Sequence, residues 1–270
     1  NLPPNVPSII RPQKHFDTLL YTGTGSANNI VEGLEFSPDM IWVKGRDTNG
    51  YEHMIIDSVR GGNNSLSPNN TDDESTHGGR SMTFYPGGVR WNSDSGNCNA
   101  NGENYAMWCW KAGGAAVTNN DGSITSSVSA NQEAGFSIVT WTGNATNPST
   151  IGHGLSKVPD VILVKNRSSD GTNWIMYHSA NTDEPETNYL ILDSTTATTD
   201  SANVWADTSP TSSVFTVGSA GSVNNSGASF ITYCWHEVPG YSKFGSYEGN
   251  TSADGPYVHL GFRPAWIMIK

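Results

Sequence analysis

Apolar residues along this chain fall in short runs, rich in β-branched and aromatic side chains and separated by clusters of Gly, Asn, Asp and Ser. That pattern predicts strands and turns, and no stretch carries a 3.6-residue period. Towards the C-terminal side the runs predict strands at Phe136 to Thr142, Thr150 to Gly154, Asp160 to Asn166, Trp174 to His178, Tyr189 to Leu192, Val214 to Val217 and Phe230 to His236. Nearer the start they predict Asp17 to Thr22, Met40 to Lys44, His53 to Asp57, Ser81 to Tyr85 and Tyr105 to Trp110. Two runs, Met40 to Val43 and Ala106 to Trp110, are apolar at every position, which implies strands buried on both faces. Gly23 and Gly143 follow matching strands, and each is expected to supply a positive φ for a turn.

The same order of runs recurs. Phe16 to Arg46 is restated at Phe136 to Arg167 and again at Tyr241 to Lys270. Tyr21-Thr-Gly23, Trp141-Thr-Gly143 and Tyr247-Glu-Gly249 lie 120 and 106 residues apart, and Lys44, Lys165 and Lys270 lie 121 and 105 apart. Agreement of the two anchors argues for a tandem array whose period is the size of a small domain able to bury its own core. The expected organisation is a Pro-rich arm or linker at 1–15, a β-sandwich repeat at 16–130, a second at 131–240, and the start of a truncated third repeat at 241–270. The last copy stops inside what the others show as a core strand, so the chain reads as a segment of a multi-domain polypeptide. The fold class expected is all-β, with tandem antiparallel sandwiches of jelly-roll or lectin-like type.

Composition supports this class and removes several functions. Charged residues are only 14% of the chain and Gly numbers 29, a balance unsuited to long solvated helices. With 14 Lys and Arg against 25 Asp and Glu, the net charge is −11 and no basic stripe is evident; nucleic acid is not an expected partner. No apolar run approaches the roughly 18 residues of a membrane span, so no membrane insertion is expected.

Candidate chemistry is sparse. Cys98, Cys109 and Cys234 are an odd set with spacing wrong for zinc; Cys109 and Cys234 occupy matching core strands and read as buried thiols, while Cys98, in a polar loop, reads as a surface thiol. Asp72, Asp73 and Glu74 crowd one loop, but an acid–base pair needs a cleft and split pKa values, which a Ser/Thr/Asn-rich loop does not promise. Asp47 to Gly50 matches half of a calcium loop without its closing Glu. His153 has no counterpart common to all copies and reads as structural. Phosphate-loop, dinucleotide and nucleophile-elbow motifs are absent. The expectation is therefore no catalytic residue, no metal ligand and no cofactor.

Trp91 and Trp205 stand apart from the predicted strands, among Asn, Asp and Ser. An exposed indole in such company could stack on a sugar or anchor a protein, so these two are the candidate receptor or glycan contacts.

Taken together, the Tyr-Thr-Gly at 21 to 23, Pro-Asp-Met-Ile-Trp-Val-Lys at 38 to 44, Trp-Cys-Trp-Lys-Ala-Gly-Gly at 108 to 114, Ala-Gly-Phe-Ser-Ile-Val-Thr at 134 to 140 and Gly-Tyr-Ser-Lys-Phe-Gly-Ser-Tyr at 240 to 247 resemble the tandem modules of tail-fibre and other virion proteins of marine tailed phages, including those of cyanobacteria and pelagic bacteria. The resemblance implies a structural part of a virion appendage, a tail fibre or capsid-attached fibre, with a role in host adsorption, located on the extracellular particle. Its implied partners are other virion subunits, in a homo-oligomer, and a host-surface glycan or protein. Other readings from the residues are a secreted lectin-like module, a polysaccharide-degrading enzyme acting through the acidic loop, and a subunit of a bacterial surface filament.

Overall fold

A computed structural model describes residues 8–48, 50–76, 81–92 and 95–270. The first part of the chain forms β1 (Phe16–Thr22), β2 (Asn29–Glu32), β3 (Met40–Gly45), β4 (Met54–Asp57), β5 (Asn64–Ser65), β6 (Ser75–Thr76), β7 (Met82–Tyr85), β8 (Gly88–Trp91) and β9 (Asn104–Trp110). There follow β10 (Val117–Asn119), β11 (Ser126–Asn131), β12 (Phe136–Thr142), β13 (Ser149–Gly152), β14 (Val161–Asn166), β15 (Ile175–His178), β16 (Asn188–Ile191), β17 (Thr199–Asp200), a single helical turn α1 (Ala202–Trp205), β18 (Val214–Val217), a second turn α2 (Gly221–Asn224) and β19 (Ser229–Trp235). The protein is all-β, as the periodicity requires.

Two large antiparallel sheets carry the fold. The first is four-stranded in the order β1-β9-β3-β4; the second is eight-stranded, β10-β11-β12-β19-β14-β15-β16-β17. Within the second, β12-β19-β14-β15 repeats the order of the first sheet, and the register also corresponds: Phe16 faces Trp110 as Phe136 faces Trp235, and Met40 faces Trp110 as Val161 faces Trp235. Smaller sheets correspond too, because β2 pairs with β8 as β13 pairs with β18.

Strand alternation explains the uninterrupted apolar runs. In the first sheet Ile41, Val43, Met107 and Cys109 face a core roofed by Val31, Met82, Val89 and Trp91 of the β2-β8-β7 sheet. In the second, Val139, Trp141, Ile162 and Cys234 face a core roofed by Ile151, Phe215 and Val217 together with Val204, Trp205 and Val223 of the two helical turns. The remaining faces meet each other: Met40, Trp42, Ile55 and Trp110 pack against Phe136, Ile138, Val161, Leu163, Trp174 and Tyr233. The result is four stacked layers, with the central strands of both large sheets buried on both sides. Each fully buried large apolar side chain contributes about 1.5–3 kcal/mol. Each half thus buries a core of its own, as expected, but a third core, between the two large sheets, draws on both halves.

Polar contacts also cross that middle layer. The buried Arg60 guanidinium donates to Asp57 Oδ2 at 2.5 Å, to Glu74 Oε2 at 2.9 Å and to Tyr233 Oη at 3.2 Å, and Tyr233 donates to Asp57 Oδ2 at 2.7 Å. Arg167 closes the far side on Glu74, at 2.9 and 2.6 Å. From the loop before β6, Ser67 and Thr71 offer carbonyls to Trp174 Nε1 at 2.9 Å and Lys165 Nζ at 3.0 Å. A buried charge set of this kind is costly unless complete, and it fixes one relative placement of the sheets.

Several expectations need correction. Gly23 and Gly143 do not have positive φ; they are required by close approach, because a Cβ would lie 2.2 Å from Ala100 O and 2.2 Å from Asn225 O respectively. β10 pairs with β11 and β11 with β12, so the strands before and across the expected boundary at 130 join the sheet of the second half. Of the expected Pro-rich arm, residues 1–7 lie outside the described residues; Ile9 is buried against Ala134, Val238 and Tyr241, so this part of the arm rests on the second half of the same chain. Residues 243–270 form no strand. In both halves the first and third strands of the motif flank a middle strand, β9 or β19, and do not pair with each other; residues 241–270 contain no counterpart of that middle strand.

Candidate functional site

The two tryptophans singled out by the sequence are not at the surface. Trp91 is 0% exposed and Trp205 2%. Trp91 ends β8 at the position that Val217 holds in β18, each opposite the first residue of its partner strand, so alternation turns it inwards while Arg90 faces the other way. Trp205 lies on α1, whose N-cap Ser201 accepts from Asn203 N, and its ring meets Tyr177 edge-on at 6.0 Å. Neither indole can stack on a ligand.

Cys98 is also buried, at 0% exposure, against the expectation of a surface thiol. It sits where the second half has Val223: Asn99 beside it bonds the loop after β1, donating to Ser26 O at 2.9 Å and accepting from Thr24 N at 3.0 Å, as Asn224 bonds the loop after β12. Cys109 and Cys234 are buried as expected, and burial pushes both thiols up.

The other titratable candidates serve the frame. Glu74 lies between Arg60 and Arg167; burial opposes its ionisation, but hydrogen bonds from Arg167 and the charge of Arg60 outweigh it and hold the carboxyl below its usual range. Asp72 and Asp73 are exposed. Asp47 accepts from Asn104 N at 3.0 Å and Asn104 Nδ2 at 2.8 Å, while Asn49 of the same loop lies outside the described residues. His153 is buried; its Nδ1 accepts from Leu155 N at 3.2 Å, which places the proton on Nε2, 3.1 Å from Thr211 O. Among the described residues, no group of three or more His, Cys, Asp and Glu is placed to hold a metal ion.

What the fold does assemble is an aromatic cleft. It has a volume of about 570 Å³ and opens at the edge of the middle layer, between Trp42 and Trp108 of the first sheet, Leu192 to Thr195 after β16, and Trp266 to Ile269. Trp42 and Trp108 are cross-strand partners, with rings 6.4 Å apart and nearly perpendicular. Trp266 lies against Trp42 at 6.2 Å and Trp110 at 5.4 Å. His53 stands on the rim, where its Nδ1 accepts from Trp42 Nε1 at 3.0 Å. Burial, aided by the charge of Lys44, keeps this ring below its ordinary pKa, so it is neutral at neutral pH with Nε2–H as its donor. Asp193 is fixed on the opposite rim by Trp174 N at 2.8 Å and Asn173 Nδ2 at 2.9 Å.

His53, Asp193, Ser194 and Thr195 line the polar part of the cleft. The cleft offers indole faces and a polar rim, the chemistry that holds a flat, CH-rich ring such as a sugar face. Trp42 and Trp108 were hidden in the sequence because both lie on runs that read as core; their second-half counterparts, Leu163 and Tyr233, are fully buried.

A family model described as a domain of unknown function, DUF7483, matches residues 11–270. No curated protein and no solved structure matches the chain.

Proposed function

Since that model takes in nearly the whole chain, the protein belongs to the DUF7483 family, and we propose that it is a structural component of a phage virion appendage, a tail fibre or capsid-attached fibre, that contributes to adsorption on the host. The observation that carries this reading is the four-layer stack. The central strands of both large sheets are buried on both faces, their apolar runs interlock in a shared middle core, and Arg60 inside it is paired with Asp57 and Glu74. That arrangement suits a stiff frame that presents loops and one aromatic cleft to the outside. The motif resemblance to marine phage fibre modules points the same way.

Mass spectrometry of purified particles from the source of this sequence tests the proposal. The expected result is stoichiometric recovery of peptides from this chain in the particle fraction, and slower phage adsorption to host cells pre-incubated with the recombinant protein. Recovery only from the culture supernatant, free of particles, would overturn it. The aromatic cleft favours a second reading, a secreted glycan-binding module, and that same supernatant result is what this reading expects.

A further inference from the structure

The corresponding strands β1 and β12 are treated differently by the fold. β12 is covered along its outer edge by β11, in the register Phe136 to Asn131, Ile138 to Ser129 and Thr140 to Ser127. β1 is the outermost strand of its sheet, and among the described residues no strand pairs with its outer edge. Ladder parity shows which groups are left over. Lys111 N donates to His15 O and Gly23 N to Glu103 O, so in the pairing with β9 the odd-numbered residues of β1 turn their backbone groups inwards. Phe16, Thr18, Leu20 and Thr22 therefore present N–H and C=O to the open side, as Phe136, Ile138 and Thr140 present theirs to β11. Leu20 is 66% exposed.

The segment preceding β1 does not supply the missing strand. Pro12 to Lys14 form a 3-10 turn and Ile9 is anchored on the second half of the molecule, so the described chain leads away from this edge. Among the described residues nothing covers this edge, and β1 is complementary to itself. Antiparallel pairing about a two-fold axis at Leu19 sets Phe16 against Thr22, Asp17 against Tyr21 and Thr18 against Leu20, with all outward-facing groups matched and no like charges opposed.

We propose that β1 is a self-association edge, through which two copies of this chain pair Phe16–Thr22 antiparallel and join their four-stranded sheets into one of eight strands. The isologous contact closes on itself and so produces a dimer. In the single chain, Asp17 Oδ1 accepts from Thr18 N at 2.8 Å. Pairing exchanges this local bond for a ladder bond from Thr18 N to Leu20 O of the second copy. The Asp17 carboxylate thus competes with dimerisation, as charged side chains on exposed edges commonly do.

Sedimentation velocity of the full chain over a concentration series tests this. The expected result is a monomer–dimer equilibrium, weakened about tenfold or more by Leu20→Pro and tightened by Asp17→Ala. The Leu20 N–H faces outwards, so the proline spares the β9 ladder, and near-UV circular dichroism checks that the variant is folded. An independent readout is Leu19→Cys, which places identical thiols across the two-fold at a closely spaced, non-hydrogen-bonded pair; oxidation should yield a covalent dimer, whereas Val117→Cys on the edge of the other sheet should not. A strictly monomeric protein overturns the proposal. So does a dimer that Leu20→Pro leaves intact and Leu19→Cys fails to cross-link, or association that instead disappears on changing Trp266 and Ile267.

Discussion

Single residues carry the contacts that set the two halves in place. Arg60 has no exposed side-chain surface, and its charge is tolerable only because Asp57, Glu74 and Tyr233 surround it; burial works against that charge, but these partners outweigh it and hold the guanidinium protonated. Glu74 makes the arrangement sensitive to acid. Its carboxyl is held below the ordinary value of 4.5, so the folded state binds its proton less readily than the unfolded state. The associated stability is present above that value and is lost as pH falls through the lowered one. Thermal unfolding followed between neutral and strongly acidic pH should show the midpoint dropping below about pH 4.5. Glu74→Gln should lower the midpoint at neutral pH and flatten the acid limb. An unchanged acid limb in the variant would show that Glu74 is not the linked group.

At the scale of elements, the repeated devices are glycines and lysines. The strand-end Gly23 lets the loop at Ala100 come within van der Waals reach, and Gly143 does the same for Asn225. Gly23→Ala forces a methyl group against a backbone carbonyl, an overpacking that should cost about 1–3 kcal/mol. Gly245→Ala, with nothing within 4 Å of the added Cβ, should change stability by less than about 0.5 kcal/mol. Denaturant midpoints of the two variants decide it, and equal midpoints would remove the close-approach argument. Lys44 and Lys165, at the ends of β3 and β14, each reach across the following hairpin to a carbonyl, of Tyr51 and Thr172 respectively, both at 2.5 Å. The repeated lysine in the sequence thus serves as a loop tie.

For the whole molecule, the consequence of four layers is cooperativity between the halves. Trp110 is packed on Phe16, Phe136 and Trp266 at ring distances of 4.8, 6.4 and 5.4 Å, so it belongs to both. Trp110→Ala should cost about 3–5 kcal/mol through cavity formation. Scanning calorimetry should show one transition in the wild type and one, at lower temperature, in the variant, because removing support from the shared core weakens both sheets. Two resolved peaks, only one of them shifted, would mean that the halves fold as independent units.

How much of this was legible in the chain differs by kind of statement. Strand positions were set locally, by side-chain alternation and turn-forming residues: β12 and β18 have the bounds the sequence predicts, and most others differ by a residue at an end. The strands missed are short or polar, such as β10 and β17, which lie at the two edges of the large sheet, and β11, whose Ser-Ser-Val-Ser-Ala-Asn carries no apolar pattern. Burial of Met40 to Val43 on both faces was also readable, since an uninterrupted apolar run leaves no side for water. What covers each face was not. Trp91 and Cys98 were placed at the surface because their sequence neighbours are polar, yet alternation on β8 and a loop held by Asn99 turn both inwards. Trp42 and Trp108 lie on runs that read as core, and both pack in the middle core, but the loop after β16 and residues 266–269 set against them leave a cleft along their edge. The amino-acid sequence alone determined which residues form strands and which are apolar on both sides, since those depend on near neighbours. The stacking of equivalent faces, the completed ion set around Arg60, the open edge of β1 and the aromatic cleft were decided only in the tertiary structure, because each depends on which surface, distant along the chain, comes to lie opposite.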